Sequence, residues 1–95
     1  MDAKILEKIK ERIATNPYVN FLGIHFTKIE DGLVEAHMPL RDEQRQYSGV
    51  THGGVLAALA DTIAGFAADT MTPLDIEELT AELKISFVRA AWRYE

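Results

Sequence analysis

The chain has no cysteine, and that absence removes a disulfide framework, a thiolate zinc site and a cysteine nucleophile from consideration. Three prolines and six glycines in 95 residues are too few for a collagenous or low-complexity chain. Cations are scarce as well. The formal charge is −5, from 15 acidic and 10 basic side chains, and no lysine or arginine occurs between Arg45 and Lys84. That balance argues against the basic stripe that follows a phosphate backbone, so no nucleic-acid partner is expected. No apolar run reaches the roughly eighteen residues of a membrane span, because Asp61 and Thr62 interrupt the most hydrophobic stretch. The start, Met1-Asp2-Ala3-Lys4, leads into charged helix pattern rather than the apolar core of a signal peptide. A soluble cytoplasmic protein with no membrane partner is the expectation.

What is present suits a packed core: 47% of residues are apolar and 26% charged. The length fits one domain, residues 1–95, and a domain this small buries only somewhere near two-thirds of the surface its unfolded chain exposes. Without disulfides it must gain stability by packing or by oligomerising, so association is expected.

Residues 2–14 place Ile5, Leu6, Ile9 and Ile13 at spacings of three and four among charged side chains, which predicts an amphipathic helix ending at Asn16-Pro17. Over 20–40 the period changes to two. Leu22, Ile24 and Phe26 share one side of a strand, and Val34, Ala36, Met38 and Leu40 share one side of the next. Asp31-Gly32 between them predicts a hairpin with a type I′ turn. Residues 41–51 show no periodicity and read as a loop. The stretch 54–71 is apolar all round, which predicts a helix about 27 Å long that must be wrapped on most sides. Over 79–88, Leu79, Ala81, Leu83, Ile85 and Phe87 alternate with Thr80, Glu82, Lys84, Ser86 and Val88, which predicts one long strand. The fold class is therefore α+β, with an antiparallel sheet curled around one central buried helix. Three strands are a narrow wrap for such a helix.

Chemistry concentrates at the start of that helix. Thr51-His52-Gly53-Gly54 runs directly into it, so the amides of Gly53, Gly54 and Val55 are expected among the unpaired donors of the first turn, at the positive end of the helix dipole. Two glycines let a carbonyl approach the backbone with no Cβ in the way, the requirement of an oxyanion site. They also serve a sharp loop-to-helix turn with no further role. Asp61, seven residues past Gly54, is the only ionisable group in the helix before Asp69. Burial would push its carboxyl up toward the range of a base or nucleophile. A plain structural part, reaching a loop amide or a partner subunit, fits the sequence equally.

The stretch Gly49-Val50-Thr51-His52-Gly53-Gly54-Val55-Leu56-Ala57-Ala58-Leu59-Ala60-Asp61-Thr62, followed by Glu82-Leu83-Lys84-Ile85-Ser86-Phe87-Val88-Arg89-Ala90, resembles the phenylacetic-acid-degradation (PaaI-like) branch of the hotdog-fold thioesterases. The likeness extends over about residues 18–91. It implies hydrolysis of short-chain, medium-chain or aryl acyl-coenzyme A thioesters, with no metal or bound cofactor, by a homodimer or homotetramer whose sites lie between subunits.

Carried over to this chain, the resemblance implies that the Gly53 amide polarises the thioester carbonyl, with Gly54 and His52 shaping the substrate site. Asp61, from the opposite subunit, would be general base or nucleophile. Thr80 stands where the family often has a Ser or Thr that holds the water, although its strand parity sets it opposite the apolar face. Gln46 replaces the usual Asn six residues before the His, and Arg89-Ala90 replaces the usual Arg-Pro. Arg41, Arg45, Arg89 and Arg93 are candidates to meet the coenzyme A phosphates. The His-Phe-Pro loop and helix Glu of the hotdog dehydratases do not occur.

Length is the largest departure. Members of the branch continue after the Arg89 strand with further long strands, so the fold is expected to be hotdog-like and incomplete at the C-terminus, either truncated or completed by neighbouring chains. A non-catalytic oligomer that binds acyl ligands or only itself is the alternative to an enzyme.

Overall fold

The computed structural model describes residues 1–89 and 91. Helix α1, Ala3–Thr15, is capped by Asp2, whose carboxylate accepts the Lys4 N–H at 2.8 Å. Its apolar stripe turns inward, and Ile9 is the most deeply buried side chain of the described residues. Asn16-Pro17 ends this helix as expected and also begins another. Asn16 accepts from the amides of Tyr18 and Val19 at 3.1 Å each, and Pro17 occupies the first position of α2, Pro17–Leu22. A proline there loses no hydrogen bond, because first-turn amides have no helical partner. Gly23 closes α2 at φ 73° and donates to the Val19 and Asn20 carbonyls. Leu22 therefore lies in a helix rather than a strand, and it is buried all the same.

Strands β1, His25–Glu30, and β2, Leu33–His37, form the expected antiparallel hairpin. The register slips between Phe26 and Lys28, leaving Thr27 as an extra residue opposite no partner. This bulge matters for packing. Strict alternation from Phe26 would turn Ile29 to solvent, and the inserted residue brings both onto the inner face. Val34, Met38 and Leu40 are buried from the other side, in the parity the sequence predicts.

The turn departs from the expected type I′. Gly32 has φ 68°, but no residue other than glycine has positive φ among the described residues, so Asp31 does not adopt the conformation that type requires. The turn is anchored from outside the hairpin: the Gly32 N–H donates to Thr70 Oγ1 at 2.7 Å, and that buried hydroxyl donates to the Ala67 carbonyl. The residues expected as loop contain a short 3-10 turn, Asp42–Gln44, and a single bridge between Arg45 and Thr51.

Helix α3, Gly53–Asp69, crosses the inner face of the hairpin. Phe66 packs edge-to-face on Phe26, with ring centroids 5.4 Å apart. Phe66 is the only fully buried side chain of α3, whereas Ala60, Ala64 and Ala68 are exposed. The expected wrapping is thus partial. One hairpin and the α1 side cannot enclose a helix that is apolar around its whole circumference.

The long strand expected over 79–88 does not form. The segment has no regular secondary structure and no ladder partner among the described residues; Leu79 is 96% exposed and Val88 93%. Alternating side chains create strand potential, but backbone N–H and C=O groups make a strand only when a neighbour pairs with them. The hairpin is the one sheet among the described residues. The radius of gyration, 14.3 Å, exceeds the roughly 12 Å of a compact chain of this length. No helix of the described residues is long and apolar enough to cross a membrane.

Candidate active site

His52 is the N-cap of α3. Its Nδ1 accepts the Gly54 N–H at 2.9 Å, which fixes the ring proton on Nε2 when the imidazole is neutral. The Val55 N–H donates to the His52 carbonyl at 3.0 Å. Two of the three amides expected to be free are therefore taken, and only the Gly53 N–H remains without a partner among the described residues. That amide points out of the positive end of a 17-residue helix and has no Cβ beside it. The sequence alone did not separate the two glycines; the side chain of His52 does.

The 79–88 segment reaches this helix at two places. Near its beginning, Thr80 Oγ1 donates to Asp61 Oδ1 at 2.6 Å, a charge-assisted bond. Thr80 thus faces the helix while Leu79 faces solvent, the reverse of the parity expected from strand alternation. The half-buried Asp61 and the exposed Thr80 line a cleft of about 790 Å³ with Thr62, Arg12 and Glu78. Further along, the Phe87 ring lies over the start of the helix. A Cβ on Gly53 would stand 3.4 Å from Phe87 Cζ. Gly53, Phe87, Gln46, Thr51 and Arg89 line a second cleft of about 430 Å³. The Thr51 N–H is held by the Ala91 carbonyl at 3.0 Å, which ties this end of the segment to the helix start.

The remaining candidates divide. Arg89 is exposed at the second cleft, near Gly53. Gln46 lines the same cleft, but its side-chain oxygen accepts from the Ser48 amide and from Ser48 Oγ at 2.6 Å, so its amide is bent into its own loop. Arg41 donates to the Phe21 carbonyl and lies over the Phe21 ring, and Arg45 donates to the Gly49 carbonyl. Arg93 lies outside the described residues. Two features are not legible in the sequence: the Phe87 cover on Gly53, and the buried Thr51 hydroxyl, which has no hydrogen-bond partner among the described residues. Phe87 was visible only as one member of an alternating apolar set.

Asp61 lies eight residues beyond Gly53, about 12 Å along the helix axis. Within one chain the free amide and the carboxylate open into different clefts and cannot meet at one carbonyl.

Electrostatics in the larger cleft are set by crowded acids. The Glu78 carboxyl is held above the usual carboxylate range, mainly by a hydrogen bond with Asp69, then by partial desolvation and the Asp69 charge, while Thr72 and Arg12 pull it back down. Arg12 pairs with Asp69 at 3.6 Å and with Glu77.

A family model described as "Domain of unknown function (DUF4442)" matches residues 7–92. The proofreading thioesterase EntH of Klebsiella pneumoniae is 46% identical over 57 residues, which are 60% of this chain and 42% of that protein. A crystal structure of a thioesterase family protein from Silicibacter pomeroyi superposes with a TM-score of 0.87 at 28% identity, covering 92% of this chain and 64% of the other. The conserved protein PA5202 from Pseudomonas aeruginosa gives 0.80 at 29% identity, covering 90% of this chain and 67% of the other. The chain thus spans less than half the length of the Klebsiella relative and about two-thirds of the two solved chains.

Proposed function

The chain belongs to the family described as "Domain of unknown function (DUF4442)" and has the hotdog fold of the thioesterase-family structure it superposes on, and from that premise we propose that it hydrolyses acyl-coenzyme A thioesters to free acid and coenzyme A. The observation that carries this reading is the division of labour along α3: one free amide at Gly53, and an Asp61 carboxylate held by Thr80 two turns further on.

In this reading the Gly53 N–H and the helix dipole stabilise the negative charge that grows on the thioester oxygen. Asp61 of a second copy takes the proton of the water that attacks the carbonyl carbon, or attacks that carbon itself to form an anhydride that water then cleaves; in either case the thiolate of coenzyme A leaves. Thr80 positions the Asp61 carboxylate. A homodimer or homotetramer in the cytoplasm, of the phenylacetic-acid-degradation type, brings the two halves together, because two copies of α3 lying antiparallel set each Gly53 near the other copy's Asp61. Arg89 beside the Gly53 cleft suits a phosphate of coenzyme A. The substrate is a short-chain, medium-chain or aryl acyl group.

Thiol release from a panel of acyl-coenzyme A substrates tests the proposal. Asp61→Asn should lower kcat by at least about 10²-fold, and Thr80→Val should lower it less, since only the positioning bond at 2.6 Å is lost. Undiminished turnover in Asp61→Asn would remove Asp61 from the chemistry. A non-catalytic acyl-binding oligomer is the second reading, favoured by the Phe87 ring over Gly53 and by the inward-bent Gln46. Calorimetric binding of acyl-coenzyme A with no thiol released would select it.

A further inference from the structure

The sequence holds three histidines, and two of them stand face to face. His25 of β1 and His37 of β2 are direct cross-strand partners, and their rings meet edge-to-face with centroids 5.2 Å apart. Both are exposed on the outer face of the hairpin, away from α3 and both clefts. The third, His52, caps α3.

Directly opposed positions in an antiparallel pair hold their Cβ atoms about 4.5–5.5 Å apart. Two imidazoles there can aim one nitrogen each at a common point after a rotation about their side-chain torsions. A dication bound at about 2.0–2.1 Å from each nitrogen needs the two nitrogens only about 3 Å apart, within reach of rings already in contact. The backbone ladder fixes the spacing in advance, so little is left to organise on binding. The surroundings add negative charge. Glu35 lies two residues before His37 on the same exposed face, and Lys28, its register partner, is turned to Glu30 at 3.7 Å. No group of three or more His, Asp or Glu side chains converges on a metal position among the described residues, so water must complete the coordination sphere.

We propose that His25 and His37 form a two-histidine surface site for a first-row transition-metal dication, separate from the thioester chemistry. Imidazole suits copper, nickel and zinc, and with only two protein donors the affinities should follow the general order in which copper exceeds nickel. A bound ion bridges β1 to β2 and stabilises the hairpin by mass action.

The test uses untagged, full-length protein with Ni²⁺ and Zn²⁺ as probes. Titration calorimetry should give one ion per chain, and His25→Gln or His37→Gln should each weaken binding at least about ten-fold, since either leaves a single donor without the advantage of a linked second one. Far-UV circular dichroism establishes that the variants keep the native fold. Paramagnetic Ni²⁺ should broaden the ring signals of His25 and His37 while sparing His52, and the metal should raise Tm in the parent protein alone. Equal affinity in the parent and in the double variant would overturn the assignment, as would loss of binding in His52→Gln instead. Neither result bears on thiol release, so the site stands or falls independently of the enzymatic reading.

Discussion

Replacing Gly53 and Gly54 one at a time by alanine distinguishes two neighbouring residues that the sequence presents as equivalent. Neither has positive φ, so an added methyl meets no backbone strain. At Gly53 the new Cβ would lie 3.4 Å from Phe87 Cζ and 3.6 Å from Cε2, ordinary contact with an exposed ring that has room to move. Removing a glycine from a helix then contributes about 0.5–1 kcal/mol of stability, mostly by narrowing the unfolded ensemble. At Gly54 the Cβ would stand 3.0 Å from His52 Nδ1 and 3.2 Å from Cε1. That nitrogen is the acceptor of the Gly54 amide, so the imidazole must give by a few tenths of an ångström and the cap bond is strained, at a cost of up to about 1 kcal/mol that offsets the gain. Gly53→Ala should therefore be more stable than Gly54→Ala by about 1 kcal/mol, which is roughly 4–8 °C in Tm for a domain of this size. Thermal and urea unfolding followed by circular dichroism measure the difference. In the enzyme reading the same Gly53 methyl crowds the approach to the free amide and should cut thiol release by about 10²-fold or more. Equal midpoints, or Gly54→Ala the more stable, would refute the capping geometry. Full activity in Gly53→Ala would refute the oxyanion role.

Three further outcomes follow from single contacts. Thr70→Val removes the hydroxyl that accepts the Gly32 N–H at 2.7 Å and donates to the Ala67 carbonyl, and it should cost about 1–2 kcal/mol in urea unfolding; an unchanged midpoint would mean the turn holds itself. Glu78 binds its proton to higher pH in the folded chain than in the unfolded one, so its contribution is present below the ordinary carboxylate value and is lost as pH rises through the raised one. Carboxyl NMR titration should find it above the usual range, and Asp69→Asn should bring it back down. Phe87→Ala uncovers the Gly53 amide and should raise kcat/KM for bulky acyl-coenzyme A several-fold; a fall instead would identify the ring as part of the substrate site.

Where sequence reading succeeded, the physics was local. The stripe of Ile5, Ile9 and Ile13 needs only a helix and a neighbour, and Ile9 is buried as its spacing predicts. The glycine-rich approach to α3 was legible because helix starts leave donors unpaired wherever they occur. It failed where a distant group decided the outcome. Asn16-Pro17 is a local exception, since a cap residue before a first-position proline specifies a helix start as well as a stop. The turn at Asp31-Gly32 is anchored by Thr70, 38 residues away from Gly32. The expected strand over 79–88 has the right alternation and no neighbour to pair with among the described residues. At the candidate site, Gly53, Asp61 and Thr80 were all named from sequence. That Thr80 turns to Asp61, and that His52 takes the Gly54 amide, required the folded arrangement.

By itself the sequence determined an α+β chain built on a hairpin and one apolar helix, and placed its distinctive polar groups at that helix's start and two turns along it. Periodicity and capping act over a few residues, so they are written in the order of the chain. Only the tertiary structure decided which of three first-turn amides stays free, which cleft each candidate faces and which two of the three histidines meet. The amide is settled by the rotamer of His52, two residues from Gly54, whereas the clefts and the histidine pair turn on segments brought together from separate parts of the chain, whose distances no local rule fixes.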